Sequence, residues 1–392
     1  MSMALSLSIP AAAVSLPPKE RDLRLDFFRG LALWLIFLNH IPSNFIGWFT
    51  TRNFGFSDAA EMFVFISGYT AAFVYGRVMI ERGFTVAGAR ILKRAWQIYV
   101  AFIFLFMIYL AQISWVAARF DNPLYIEEMN LLHFLQRPEI VIVEALLLRF
   151  LPANVDVLPL YIVLMGIFPL LLWMLLRAPN ATLGISFVVY VAAYTQSWNL
   201  PGYPQDKAWF FSPYAWQFLF VIGAWCGIGS VRQIDRFLRS TAFLLMGGLY
   251  LVLAGGLQLA TNLTANLSLT LSWPDWLLIF PLDKTHLSPL RLIHFLVLTA
   301  IVVRFVPANA GFLRQSWARP LIICGEHSLE IFCLGVFLSF TAHILMIEVS
   351  SRILFQVAVS LGGIFAMIVL AGIMTWYKKL QSRAPKNLAV KL

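Results

Sequence analysis

Ten stretches of this chain are too long and too apolar to be hidden in one soluble core. They fall near residues 27–46, 58–77, 96–117, 157–176, 181–198, 212–229, 241–260, 290–306, 321–345 and 353–376. Most approach the roughly 20 residues that a helix rising about 1.5 Å per residue needs to cross ~30 Å of hydrocarbon. The chain has 392 residues, 60% of them hydrophobic and only 12% charged. A single-core globule of that composition would leave large apolar surfaces in water. The pattern predicts an all-α, polytopic membrane protein with about ten transmembrane helices.

Orientation follows from the basic residues, because cytoplasmic loops retain Lys and Arg. With the N-terminus inside, 20 of the 29 Lys and Arg residues fall in cytoplasmic segments and six, including Arg52, Arg119 and Lys284, fall outside. That bias predicts both termini in the cytoplasm. The net charge of +10 is then an orientation signal. The basic residues are dispersed and form no groove-reading motif, so no nucleic-acid partner is expected. Residues 1–22 are expected to be a disordered cytoplasmic tail: Pro10 interrupts their apolar run and no basic region opens it. Residues 23–378 form a single transmembrane domain and residues 379–392 a basic cytoplasmic tail. Cys226, Cys324 and Cys333 fall inside predicted helices and read as core packing. No metal is expected, and the sequence specifies no oligomeric state.

Ionisable residues inside such segments are costly, about 3 kcal/mol for a charge at the bilayer centre, and mark candidate sites. "DFFRGLALWLIFLNH" carries Arg29 and His40 eleven residues apart, about 16 Å and three turns, hence on one helical face. Pro42 ends or kinks the helix just past the histidine. Arg29 fits either a snorkelling residue paired with Asp26 or a binding residue. His40 fits either a core histidine or a base. The next segment, "GFSDAAEMFVFISGY", brings Asp58 and Glu61 to about the depth of His40. A carboxylate that takes the proton of one imidazole nitrogen leaves the other free as a base. Three further groups stand out. Arg90, Lys93 and Arg94 read as a short amphipathic helix at the cytoplasmic mouth, suited to phosphates or to topology alone. Arg291 and His294, i and i+3 on one face, lie on the outer side as a binding pair or a helix-mouth anchor. His327 and Glu330 form a polar core pair. Two long outer segments remain. Residues 118–156 include an interfacial or re-entrant piece, "IVIVEALLLRFL", and residues 261–289 interleave aromatic and polar residues around Trp276 and "PLDKTHLSPLR".

"RGLALWLIFLNH" and "MFVFISGY" resemble the arginine–histidine signature and the phenylalanine-rich second helix of the family-three membrane acyltransferases, and "ARILKRAWQIY" resembles their arginine-rich loop. "LRLDFFRGLAL", "GFSDAAEMFVF", "LPLYIVL", "PLRLIHF" and "GEHSLEIFCLG" are similar to the OpgC-type succinyltransferases of osmoregulated periplasmic glucans. Phe102 stands where such relatives are expected to carry a histidine.

The resemblance implies an O-acyltransferase that moves a succinyl group from cytoplasmic succinyl-CoA, a co-substrate and not a resident cofactor, to hydroxyls of a periplasmic glucan. It implies His40 as base, with Asp58 or Glu61 holding its ring. Arg29, Arg90, Lys93 and Arg94 would lie along the acyl-CoA, with Asn39, Ser67 or Tyr69 as oxyanion donors. An O-acetyltransferase acting on another envelope glycan and a proton-coupled secondary transporter are the competing readings. No inverted repeat of the kind carriers show is evident.

Overall fold

A computed structural model of the chain describes residue 16 and residues 22–121, 124–129, 131–266 and 282–383. In chain order the helices are α1 (Leu23–Asn39), α2 (Ala59–Phe120), α3 (Leu124–Glu128), α4 (Leu132–Gln136), α5 (Pro138–Leu146), α6 (Val157–Arg177) and α7 (Pro179–Thr195). They continue with α8 (Pro213–Gly227), α9 (Asp235–Leu238), α10 (Thr241–Asn266), α11 (Pro289–Phe305), α12 (Arg319–Glu326), α13 (Ser328–Glu348) and α14 (Ile353–Arg383). Among the described residues there is no β-strand beyond one isolated bridge, Pro201 to Ala208. Helices cover each of the ten apolar stretches over most of its length.

Among the described residues five helices are long and apolar enough to cross a membrane, and a sixth if α8 and the segment 230–238, bent from it by 87°, make one span. At 17 residues α1, α7 and α11 are about 26 Å long. They fall short of a full hydrocarbon thickness by themselves. The tail 1–22 lies almost wholly outside the described residues, as do 384–392 of the basic tail and 267–281, with Trp276. Residues 379–383 continue α14.

The described residues divide into two units, residue 16 with 51–305 and 22–50 with 306–383. In the first, α2 is two helices merged across a break at Gly83, whose φ of 84° and ψ of 171° belong to a region open essentially to glycine alone. The break yields arms of roughly 24 and 37 residues instead of one rod about 93 Å long. Nothing lies within 4 Å of a Cβ built on Gly83, so Gly83→Ala is expected to cost about 1–3 kcal/mol through backbone strain alone. Thermal unfolding in detergent, with Gly184→Ala as an equally uncrowded control, measures it. Equal midpoints for the two variants would show that the turn imposes no such strain.

The first arm of α2 packs backbone to backbone on α8. A Cβ on Gly68 would overlap the Phe220 carbonyl, and one on Gly223 or Gly227 would overlap that of Phe65 or Tyr69. Ser186 of α7 donates to Gln217 Oε1 of α8 at 2.6 Å, and Gln217 Nε2 returns a bond to the Ser186 carbonyl at 2.9 Å. Phe102 is fully buried beside Phe106, which in turn meets Phe150, an aromatic core where a histidine would have needed a partner.

In the second unit α1 crosses α12 equally closely. A Cβ on Gly30 would overlap the Leu321 carbonyl, and one on Gly325 would overlap that of Asp26. Phe27, Leu313, Ala318, Leu321 and Ile322 form the core beside this crossing. The C-terminal end of α1 is tied to α14: the Phe37 ring lies over Gly363, and Asn44 Nδ2 donates to Ser360 Oγ at 3.1 Å. These contacts fix the end of the helix that carries His40.

Candidate functional site

In the second unit, Arg29 and His40 are both half-buried. Asp22 starts α1 by accepting from the Arg24 N–H, and His40 caps its end, its backbone N–H donating to the Ile36 and Phe37 carbonyls. The helix thus stops at the histidine, two residues before Pro42. Asn39 Oδ1 accepts from the Thr50 hydroxyl at 2.6 Å, which leaves its amide N–H groups as the donors an oxyanion would need.

In the first unit, Asp58 and Glu61 form a capping box at the start of α2. Asp58 Oδ1 accepts from the Ala60 N–H at 2.8 Å, and Glu61 Oε2 from the Asp58 N–H at 2.9 Å. Their other oxygens meet two cations. Arg291 Nε donates to Glu61 Oε1 at 2.8 Å and its Nη2 lies 2.6 Å from the same oxygen. Nη2 also reaches Asp58 Oδ2 at 3.2 Å, and Lys284 Nζ donates to that oxygen at 2.6 Å. Glu61 is fully buried and the Arg291 side chain 11% exposed. Within this unit the two carboxylates therefore join the start of α2 to α11 and to the turn before it. His294, one turn beyond Arg291, has Nδ1 2.7 Å from the Ser57 hydroxyl and its ring against Gly55, Phe56 and Tyr250. It locks residues 55–57 onto α11.

Lys284 is the more open cation, 29% exposed, with its ammonium 5.6 and 5.9 Å from the Phe211 and Phe210 ring centres. Asp156 stands one residue before α6 without capping it. Burial pushes its carboxyl up to about 7, against the pull of Lys284, which places a proton-exchanging group close to neutrality. Ser57, Lys284 and Asp156, with Asp283 and His286 on the turn before α11, are residues that the sequence patterns did not single out. Only the short-range Asp283–His286 spacing offers a local signal.

Two expectations need correction. Arg90, Lys93 and Arg94 do not form a short helix of their own but lie early in the second arm of α2, with Arg90 and Lys93 exposed and Arg94 half-buried. His327 and Glu330 do not form a buried pair. Glu330 is exposed, and His327 sits at the break between α12 and α13 with Nε2 3.1 Å from the Thr375 hydroxyl of α14. A helical i, i+3 argument fails where the first residue is not in the helix.

Compared with known families, this chain falls among membrane proteins of acyltransferase type. It belongs to the OpgC protein family, which matches residues 21–379. No curated protein and no solved structure matches it.

Proposed function

We propose that this protein is a transmembrane O-acyltransferase that moves a succinyl group from cytoplasmic succinyl-CoA to hydroxyls of a periplasmic glucan, through a ten-crossing bundle in the bacterial inner membrane with both termini inside. The observation that carries the reading is α1 itself: a family member whose first helix bears Arg29 low on one face and ends at a half-buried His40. Arg90, Lys93 and Arg94 meet the phosphates of the acyl-CoA, and Arg29 lies along the path of its thioester. His40 takes the proton of a glucan hydroxyl as that oxygen attacks the thioester carbonyl. The new ester C–O bond replaces the C–S bond, and coenzyme A leaves as the thiolate. Transfer through a succinyl-histidine uses the same residue. Arg291 and His294 shape the acceptor side.

The Asp58, Glu61, Lys284 and Arg291 cluster is also the kind of ionisable group that proton-coupled carriers use. One experiment separates the readings. Inverted membrane vesicles preloaded with glucan receive succinyl-CoA labelled in the acyl group. Label covalently attached to glucan supports the transferase. Uptake of labelled donor with no acylated glucan supports the carrier and overturns it. Acetyl-CoA as competing donor reports the acyl preference.

A further inference from the structure

The segment between α8 and α10 is both basic and apolar on its open surface, and the reaction above makes no use of it. Gly229, with a φ of 85° and a ψ of 4°, turns the chain out of α8, and residues 230–238 run on at 87° to that helix. A piece lying across the axis of α8 adds little to a membrane crossing and runs along the membrane surface. Within it Phe237 and Leu238 follow Ile234 by three and four residues, while Arg236 and Arg239 follow Arg232 by four and seven. On a helix those spacings put the two sets on opposite sides. Both sides are open: the three arginines and Ile234 are exposed, and Phe237 is 62% exposed.

The segment is pinned at both ends. Asn180 Nδ2 of α7 donates to Gln233 Oε1 at 2.9 Å, and Trp225 Nε1 of α8 donates to Asn180 Oδ1 at 3.1 Å. At the far end the exposed Arg304 of α11 donates from Nη1 to the Arg239 and Ser240 carbonyls at 2.7 and 3.1 Å. Arg239 pairs with Asp235, Nε to Oδ2 at 2.8 Å, and that pair uses the one acidic residue of 230–240. With Arg304, four arginines stand against one carboxylate, a net charge of +3. The apolar side runs into α10: Phe237 meets the Phe243 ring edge to face at 5.3 Å, and the helix continues with Leu245, Leu249 and Val252 exposed. On a helix long and apolar enough to span, such a row faces acyl chains. A phenylalanine continuous with it suits lipid better than a soluble partner, and the arginines beside it then lie among headgroups. Amphipathic elements of this kind bind most firmly where those headgroups carry net negative charge.

We propose that residues 230–240 with Arg304 form a binding site for an anionic phospholipid, its phosphate held by Arg232 and Arg236 and its acyl chains lying along Phe237 and the exposed side of α10. The site stands whether or not the protein transfers acyl groups. The test uses the full-length protein in nanodiscs of phosphatidylcholine that carry a trace of phosphatidylglycerol with a photoreactive acyl chain. After irradiation, label is expected on peptides from 234–252. Unlabelled phosphatidylglycerol should displace it, whereas added coenzyme A should not, an arm that needs no variant to fold. Arg232→Gln with Arg236→Gln is expected to raise the mole fraction of phosphatidylglycerol needed for half-maximal labelling by about tenfold or more, each arginine near a charged leaflet being worth roughly fivefold. Arg232→Lys with Arg236→Lys keeps both charges and should stay within about threefold of the wild type. Lys378→Gln with Lys379→Gln removes two exposed charges from α14 and should leave labelling of 234–252 unchanged. All four positions are exposed, so thermal midpoints should match the wild type. Equal labelling by a phosphatidylcholine probe of the same chain length would overturn the site, as would wild-type labelling of the Arg232→Gln, Arg236→Gln protein. An equal loss in the Lys378→Gln, Lys379→Gln protein would reduce it to general surface charge and overturn it too. Displacement by coenzyme A would assign the patch to donor phosphates, and cross-links from this segment to a second copy in place of lipid would assign it to self-association; either result overturns the proposal.

Discussion

Replacing Arg291 with alanine is expected to destabilise the protein by about 3–5 kcal/mol, the usual result of removing one partner from a buried ion pair. The physical reason is Glu61. It is fully buried, and its Oε1 receives two charge-assisted contacts from one guanidinium. Alanine leaves that carboxylate with only the backbone N–H on its other oxygen and with the negative Asp58 beside it. Lys284 remains, but it is bonded to Asp58. Against a total stability of roughly 5–15 kcal/mol, such a loss should appear as low yield in membranes and a sharply lower thermal midpoint. Arg291→Lys should recover little, because a compact ammonium cannot serve Glu61 through two nitrogens while also reaching Asp58. The double variant Glu61→Leu with Arg291→Met should recover most of the stability, since apolar groups of similar volume avoid the desolvation penalty. Wild-type stability in Arg291→Ala would show that the cluster is not the fastener that its geometry implies.

The parts of this site that were legible in the sequence are local and helical. The eleven-position offset from Arg29 to His40 translates directly into one helix that ends at the histidine, because a 3.6-residue period and Pro42 are both written in the chain. The capping box at Asp58 and Glu61 is likewise a three-residue pattern. What the sequence hid is the company these groups keep. Lys284 lies 226 residues from Asp58, and Arg291 lies 230 from Glu61. Nothing in either segment names the other. Periodicity also misleads where a helix breaks. His327 and Glu330 share a face only on an unbroken helix, and His327, with φ −111° and ψ 42°, is the break. Gly83 escapes notice for a related reason: it lies between the apolar stretches 58–77 and 96–117, so an apolarity pattern registers two separate helices and no information about the turn. The crossing count suffers from length. α1, α7, α8 and α11 are apolar enough to suggest spans, yet each is shorter than a membrane's hydrocarbon layer requires.

His40→Ala is expected to lower the rate of acyl transfer by about 10²–10⁴, the range for losing a positioned general base, while leaving the fold in place. The second half of that expectation comes from how the residue ends its helix. His40 caps α1 through its backbone N–H, which donates to the Ile36 and Phe37 carbonyls, and alanine supplies the same N–H. The close crossing of α1 with α12 at Gly30 and Gly325 and the Asn44 to Ser360 bond are equally untouched. Thermal midpoints of the wild type and His40→Ala should therefore agree within a few degrees while initial rates of label transfer to glucan separate. If a succinyl-histidine forms, wild-type protein quenched with donor but no glucan should carry a succinyl mass increment on the peptide containing His40, and His40→Ala should not. Without an intermediate, neither protein carries it, and the rate difference alone remains. His40→Ala protein that folds and transfers label at the wild-type rate would remove the base from the proposed chemistry.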